Sequence, residues 1–101
     1  MNLDSDIYRI RINNKELTNL QTNCSEFYKN IVTPWAENTS YDLYAVKSGS
    51  YVQIILLDNQ KVLKSIAFLT HTAKKYFKYN GDALHQHTTT YRNIKSYLQK
   101  Q

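Results

Sequence analysis

Two short stretches near the C-terminal end carry the side chains best suited to chemistry on an anion. Thr70-His71-Thr72-Ala73-Lys74 and Thr88-Thr89-Thr90-Tyr91-Arg92 share the order Thr-x-Thr-x-(Lys/Arg). A Thr just before a helix accepts a hydrogen bond from a backbone N–H of the first turn. The amides left over, the helix dipole and a nearby cation favour an anion at the same place. The echo predicts phosphate-type caps at Thr70, Thr72, Thr88 and Thr90. Lys74, Lys75, Lys78, Arg92 and Lys95 would then supply charge. Tyr76, Tyr79 and Tyr91 would supply rings, because aromatic side chains stack on bases. The simpler use of the same residues is ordinary helix capping beside solvated lysines.

His85-Gln86-His87, with His71 upstream, is the one metal-like grouping. On extended backbone, residues two apart project to one side and could share an ion. No cysteine pair or carboxylate adjoins them, so neither metal nor cofactor is expected. The sequence also lacks a Gly-rich phosphate loop and a nucleophile elbow. A small ribonuclease can do without both, given a positioned acid or base and cations around the phosphate. His71, His85, Lys74, Lys75 and Arg92 are the residues available for that role.

Charge is segregated along the chain. Residues 1–60 hold five basic against seven acidic residues, whereas residues 61–101 hold eight basic residues against Asp82, giving the net +5. Such asymmetry points to an anionic partner. Nine Tyr, three Phe and one Trp form an aromatic complement dominated by the amphipathic member. Cys24 is alone, which excludes an intramolecular disulfide and favours a reducing compartment. No signal-peptide pattern or apolar span is read, so a cytoplasmic protein with no membrane association is expected.

The elements that must position these residues follow from periodicity. Ile7 to Ile12 alternates apolar residues with Arg9 and Arg11 and reads as a strand. From Lys15 to Val32, apolar residues recur at helical spacing, with a break expected near Asn23, a fresh cap at Ser25 and a stop at Thr33-Pro34. Tyr41–Lys47, Ser50–Leu57 and Lys61–Leu69 read as strands joined by short turns, hence an antiparallel meander. Ile54 to Leu57 is apolar at every position, which predicts cover on both faces or by a partner. Thr70–Tyr79 and Thr88–Lys100 read as helices separated by Asn80-Gly81. The expectation is one α+β domain over residues 1–101. It would be a small antiparallel sheet, the meander plus the N-terminal strand, with helices packed on one face.

Two resemblances bear on function. The meander running into Ala73-Lys74-Lys75, together with length and charge, resembles the small basic ribonuclease toxins of toxin–antitoxin pairs. It departs from them where such toxins place Arg or Lys on the sheet, because Tyr44, Val46 and Gln53 stand there instead. Thr88-Thr89-Thr90-Tyr91-Arg92-Asn93, ending in Tyr97-Leu98, resembles a pattern in small uncharacterised proteins of bacteriophages and mobile elements of low-GC Gram-positive bacteria. That resemblance implies a protein that binds and blocks a host machine or regulates its own element.

The leading expectation is therefore a non-enzymatic phage or mobile-element binding protein. It would inhibit a host defence protein or nucleic-acid machine through a basic C-terminal surface, without nucleic-acid mimicry. A nucleic-acid- or nucleotide-binding regulator and a ribonuclease toxin are the alternatives. The apolar strand and the tyrosines would also permit a homodimer.

Overall fold

The computed structural model describes residues 7–101. Five antiparallel strands form one sheet: β1 Ile7–Ile12, β2 Tyr41–Ser48, β3 Tyr51–Asp58, β4 Lys61–Leu69 and β5 Phe77–Ala83, in the spatial order β4-β3-β2-β1-β5. The α+β class and the meander agree with the periodicity. Gly49 and Asn59 take positive φ (63° and 57°) at the first central position of the two hairpin turns. That is where a tight hairpin requires it.

The fifth strand was not anticipated. The helix opening at Thr70 ends at Tyr76 (α4, Thr70–Tyr76), and Phe77–Ala83 pairs with β1. Its sequence, FKYNGDA, is polar and exposed beyond Phe77, so it lacks the alternation of a half-buried strand. Ile10 faces Tyr79 while Tyr8 faces Ala83, so two extra β5 residues bulge between these pairs. Gly81, at φ +98°, lies in that bulge.

The segment after β1 is one broken helix. A short 3-10 turn at Asn14–Glu16 leads into α1 (Leu17–Asn23), then α2 (Ser25–Phe27), a π turn (Tyr28–Val32) and α3 (Thr33–Glu37). The expected break falls at Cys24, whose backbone leaves the helical region (φ −133°, ψ 56°). Ser25, however, is the first helical residue and gives no cap. Nor does Pro34 stop the chain. The Thr33 N–H bonds the Tyr28 carbonyl five residues back. This wider turn carries the backbone past a ring that would otherwise clash with the preceding turn, and the helix continues to Glu37.

Helices cover both faces of the sheet, not one. Ile10, Leu43, Ala45, Val52, Ile54 and Leu56 pack with Leu20, Phe27, Ile31 and Val32, and with Ala73 and Tyr76 of α4. Ile7, Tyr44, Val46, Ile55 and Leu57 project the other way, onto Tyr91 and Ile94 of α5 (Thr89–Gln99). The continuous apolar run of β3 is thus buried on both sides by the chain itself, with Ile54 and Ile55 each at 0% exposure.

The sheet also curls. α4 joins its two edge strands, and seven residues of helix advance about 10 Å. Four interstrand spacings in a flat sheet would separate those strands by about 19 Å. Phe68 of β4 and Phe77 of β5 accordingly approach to 5.5 Å between ring centroids. Phe27 meets both rings edge-on, at 4.7 and 5.5 Å. The face beneath α4 is therefore concave.

Among the described residues, no helix is long and apolar enough to cross a membrane.

Candidate functional site

The Thr-x-Thr echo does not produce two equivalent sites. Thr88 caps α5: its hydroxyl accepts from the Tyr91 N–H (3.2 Å) and donates to the His85 carbonyl (2.9 Å). Thr90 is turned to Gln60, donating to Oε1 at 3.3 Å. At α4 the capping position is Leu69, with no side-chain cap. Thr70 instead donates its backbone N–H to the Ser50 carbonyl (2.8 Å), and Thr72 is half-buried in the first turn. The first echo is a strand-to-helix junction, where the backbone partner comes from the β2–β3 turn.

The basic residues are dispersed as well. Arg92 and Lys95 ride on α5, whereas Lys74 and Lys75 ride on α4, across the sheet. Lys75 is engaged, with Nζ 3.7 Å from Glu16 and 5.7 Å from the Tyr76 ring. Lys95 lines a shallow groove with Val46, Gln53 and Leu98. Tyr76 and Tyr91 are core residues, 4% and 7% exposed, and their rings are closed to a partner. His71 lies exposed on α4, while His85 and His87 stack on each other at 5.5 Å. Among the described residues, no group of three or more His, Cys, Asp or Glu side chains is placed to hold a metal ion.

What the fold does gather lies along the β1–β5 edge. Lys78 is directly opposite Arg11. Both line a groove with Lys15, Asn13 and Asn14, and among the described residues no carboxylate lines it. The position of this loop is fixed by Asn13. Its backbone N–H donates to the Tyr76 carbonyl (2.8 Å), its Nδ2 donates to the Lys75 carbonyl (3.2 Å), and its Oδ1 accepts from the Lys15 N–H (3.3 Å). Three cations thus converge from three separate elements.

Consecutive strand residues point to opposite sides, so Tyr79 projects onto the concave face, where it stacks on Tyr8 (centroids 4.8 Å, interplanar 15°). Lys47 Nζ lies 5.0 Å from the Tyr8 centroid and 4.9 Å from that of Tyr79. Being equidistant, the ammonium bridges the pair rather than capping one ring. Tyr79 keeps 46% of its surface open.

Arg11, Lys15, Lys47 and Tyr8 were missed by sequence reasoning. All four fall in the acid-rich half, and only the β1–β5 and β2–β1 pairings bring them to Lys78 and Tyr79. The basic face of the first strand was the available signal.

On the opposite face of the sheet, Arg9 and Asp42 form an ion pair (2.6 Å) beside Tyr44. Burial, and secondarily the Asp42 carboxylate, push the Tyr44 phenol above its usual value of 10.0, with Arg9 opposing.

No protein-family model matches the chain, and neither a curated protein nor a solved structure matches it at a significant level.

Proposed function

We propose that this chain is a small non-enzymatic binding protein, of the kind bacteriophages and mobile elements direct against a host. In this reading it blocks a host defence protein or nucleic-acid machine through a cationic surface on the β1–β5 edge. The observation that carries the proposal is the Arg11–Lys78 pair with Lys15 in one groove. Like charges directly opposed across two strands cost roughly 0.2–1 kcal/mol. The fold gains nothing from that arrangement, while a phosphate or acidic partner would neutralise it and draw the protein in at long range. The surface is not the C-terminal one expected from composition. Lys78 remains in it, Arg11 and Lys15 join it, and Arg92 and Lys95 stand apart on α5.

The test is an affinity pull-down of the tagged protein from nuclease-treated and untreated bacterial lysate, run beside an Arg11→Glu/Lys78→Glu variant. A host protein held at stoichiometric yield after nuclease treatment, and released by the variant, is the expected result. Equal retention by both proteins would sink the proposal. Nucleic acid alone, lost on treatment, would replace it with a nucleic-acid-binding regulator.

A further inference from the structure

β1 carries two arginines on one face, and the fold treats them differently. Arg9 and Arg11 are two residues apart on the strand, so both project to the side away from Tyr79. Arg9 has a counter-ion, Asp42, at 2.6 Å. Arg11 has Lys78 opposite it instead. Among the described residues, Arg11, Lys15 and Lys78 form no ion pair. Glu16, next to Lys15 in the chain, is drawn elsewhere: its Oε1 accepts from Asn19 Nδ2 (3.0 Å) and lies 3.7 Å from Lys75 Nζ.

The cations converge rather than line up. Arg11 enters the groove from β1, Lys78 from β5, and Lys15 from the loop that Asn13 holds in place. The positive region is also short. Along β1 the next residue on that face is the neutralised Arg9, and along β5 Tyr79 is followed by Asn80, Gly81 and Asp82. A nucleic-acid backbone is a line of charges, held by cations that track it. This groove has no such track. It suits one compact anion that carries more charge than a carboxylate. A phosphate monoester bears about −1.5 to −2 at pH 7 and offers three acceptor oxygens on one centre. Two of those oxygens match the fork of an arginine, and lysines serve as point charges beside it.

We infer that the groove receives a phosphorylated side chain of the partner protein, with Arg11 on two phosphate oxygens and Lys15 and Lys78 flanking them. The inference deepens the reading above. It rests on that reading for the partner being a protein and adds what the protein must present. Seating the phosphate also relieves the Arg11–Lys78 repulsion.

Amide shifts of the isotope-labelled chain, titrated with a capped hexapeptide holding one phosphoserine among uncharged residues, test this. The controls are the same peptide with serine, with one glutamate or with two adjacent glutamates, and AMP. The phosphopeptide should shift Arg11, Lys15 and Lys78 and bind about tenfold more tightly than either glutamate peptide. Lys15→Gln and Lys78→Gln, both at exposed positions, should each weaken it severalfold, whereas Lys61→Gln, exposed on β4, should leave it unchanged. A glutamate peptide bound as tightly as the phosphopeptide, or binding untouched by Lys15→Gln and Lys78→Gln, overturns the inference. AMP bound more tightly than the phosphopeptide also overturns it and assigns the groove to a free nucleotide. Phosphatase treatment of the lysate before the pull-down separates the two readings. A host protein captured from untreated lysate and lost after phosphatase upholds both. If it is still captured through Arg11 and Lys78, only the phosphate assignment falls. If nothing is captured from either lysate, the reading above falls and this inference with it.

Discussion

The meander and the β1–β5 edge are built from the same kind of antiparallel pairing and obey different rules. In the meander, β2 and β3 pair in unbroken register from Tyr41–Asp58 to Ser48–Tyr51, and β3 and β4 shift once, between Leu56 and Leu57. Apolar residues alternate between two buried faces, and each tight turn has a residue able to take positive φ. At the β1–β5 edge the register slips, a glycine bulge intrudes, and Arg11 faces Lys78. The meander holds the fold, and the edge, where like charges face each other, is where the proposed binding surface lies. The edge combines three cations with an open tyrosine pair.

Ile54→Ala and Ile55→Ala each remove a fully buried side chain from opposite faces of the central strand. Each should cost about 2–5 kcal/mol in denaturant unfolding, while Lys78→Ala on the exposed edge should stay within about 0.5 kcal/mol. Near-equal losses would mean that the edge is as integral to stability as the meander.

Gly81→Ala comes next. A Cβ at Gly81 would meet no atom within 4 Å, so only its φ of +98° opposes substitution. A loss of about 1–2 kcal/mol is expected, with thermal unfolding as the measurement. The two Thr echoes separate at a smaller scale. Thr88→Ala should cost about 1 kcal/mol because a real cap is lost. Thr70→Ala should be close to neutral, because its structural bond is made by the backbone.

Arg11→Glu sharpens the contrast by reversing sign. Replacing a repulsive cross-strand pair by an attractive one should raise stability by roughly 0.2–1 kcal/mol at low salt, and partner retention should fall. A variant that loses stability would remove the argument that the cations are kept for binding.

The last effect concerns pH. The raised Tyr44 pKa means that the folded state keeps its phenolic proton at pH values where the unfolded chain, near 10.0, has released it. Stability is therefore unaffected below about pH 10 and falls as pH rises from there toward the folded value. Subtracting the alkaline unfolding curve of Tyr44→Phe should remove that part of the decline. Identical curves would show that Tyr44 ionises as freely in the fold as outside it.

Several features of the fold were legible because they depend on short-range pattern. The first strand, the meander with its turns, the break at Cys24 and the α5 cap at Thr88 each answer to residues within one or two turns of chain. The candidate site was legible only in pieces. Lys74, Lys78 and Tyr79 were named from composition and order, but grouped with Arg92 and Lys95, which the fold leaves on α5, and with Tyr76 and Tyr91, which it buries in the core.

Sequence alone determined β1, the three strands of the meander, α5 and the excess of cations, because periodicity and charge are properties of the chain itself. The partners of those cations were decided only by tertiary structure. FKYNGDA carries too little apolar alternation to declare itself a strand, and it becomes one because β1 offers an unpaired edge where α4 ends. That single pairing sets Arg11 against Lys78 and Tyr8 against Tyr79. The same crossing of α4 brings Phe68 and Phe77 of the two edge strands together and curls the sheet.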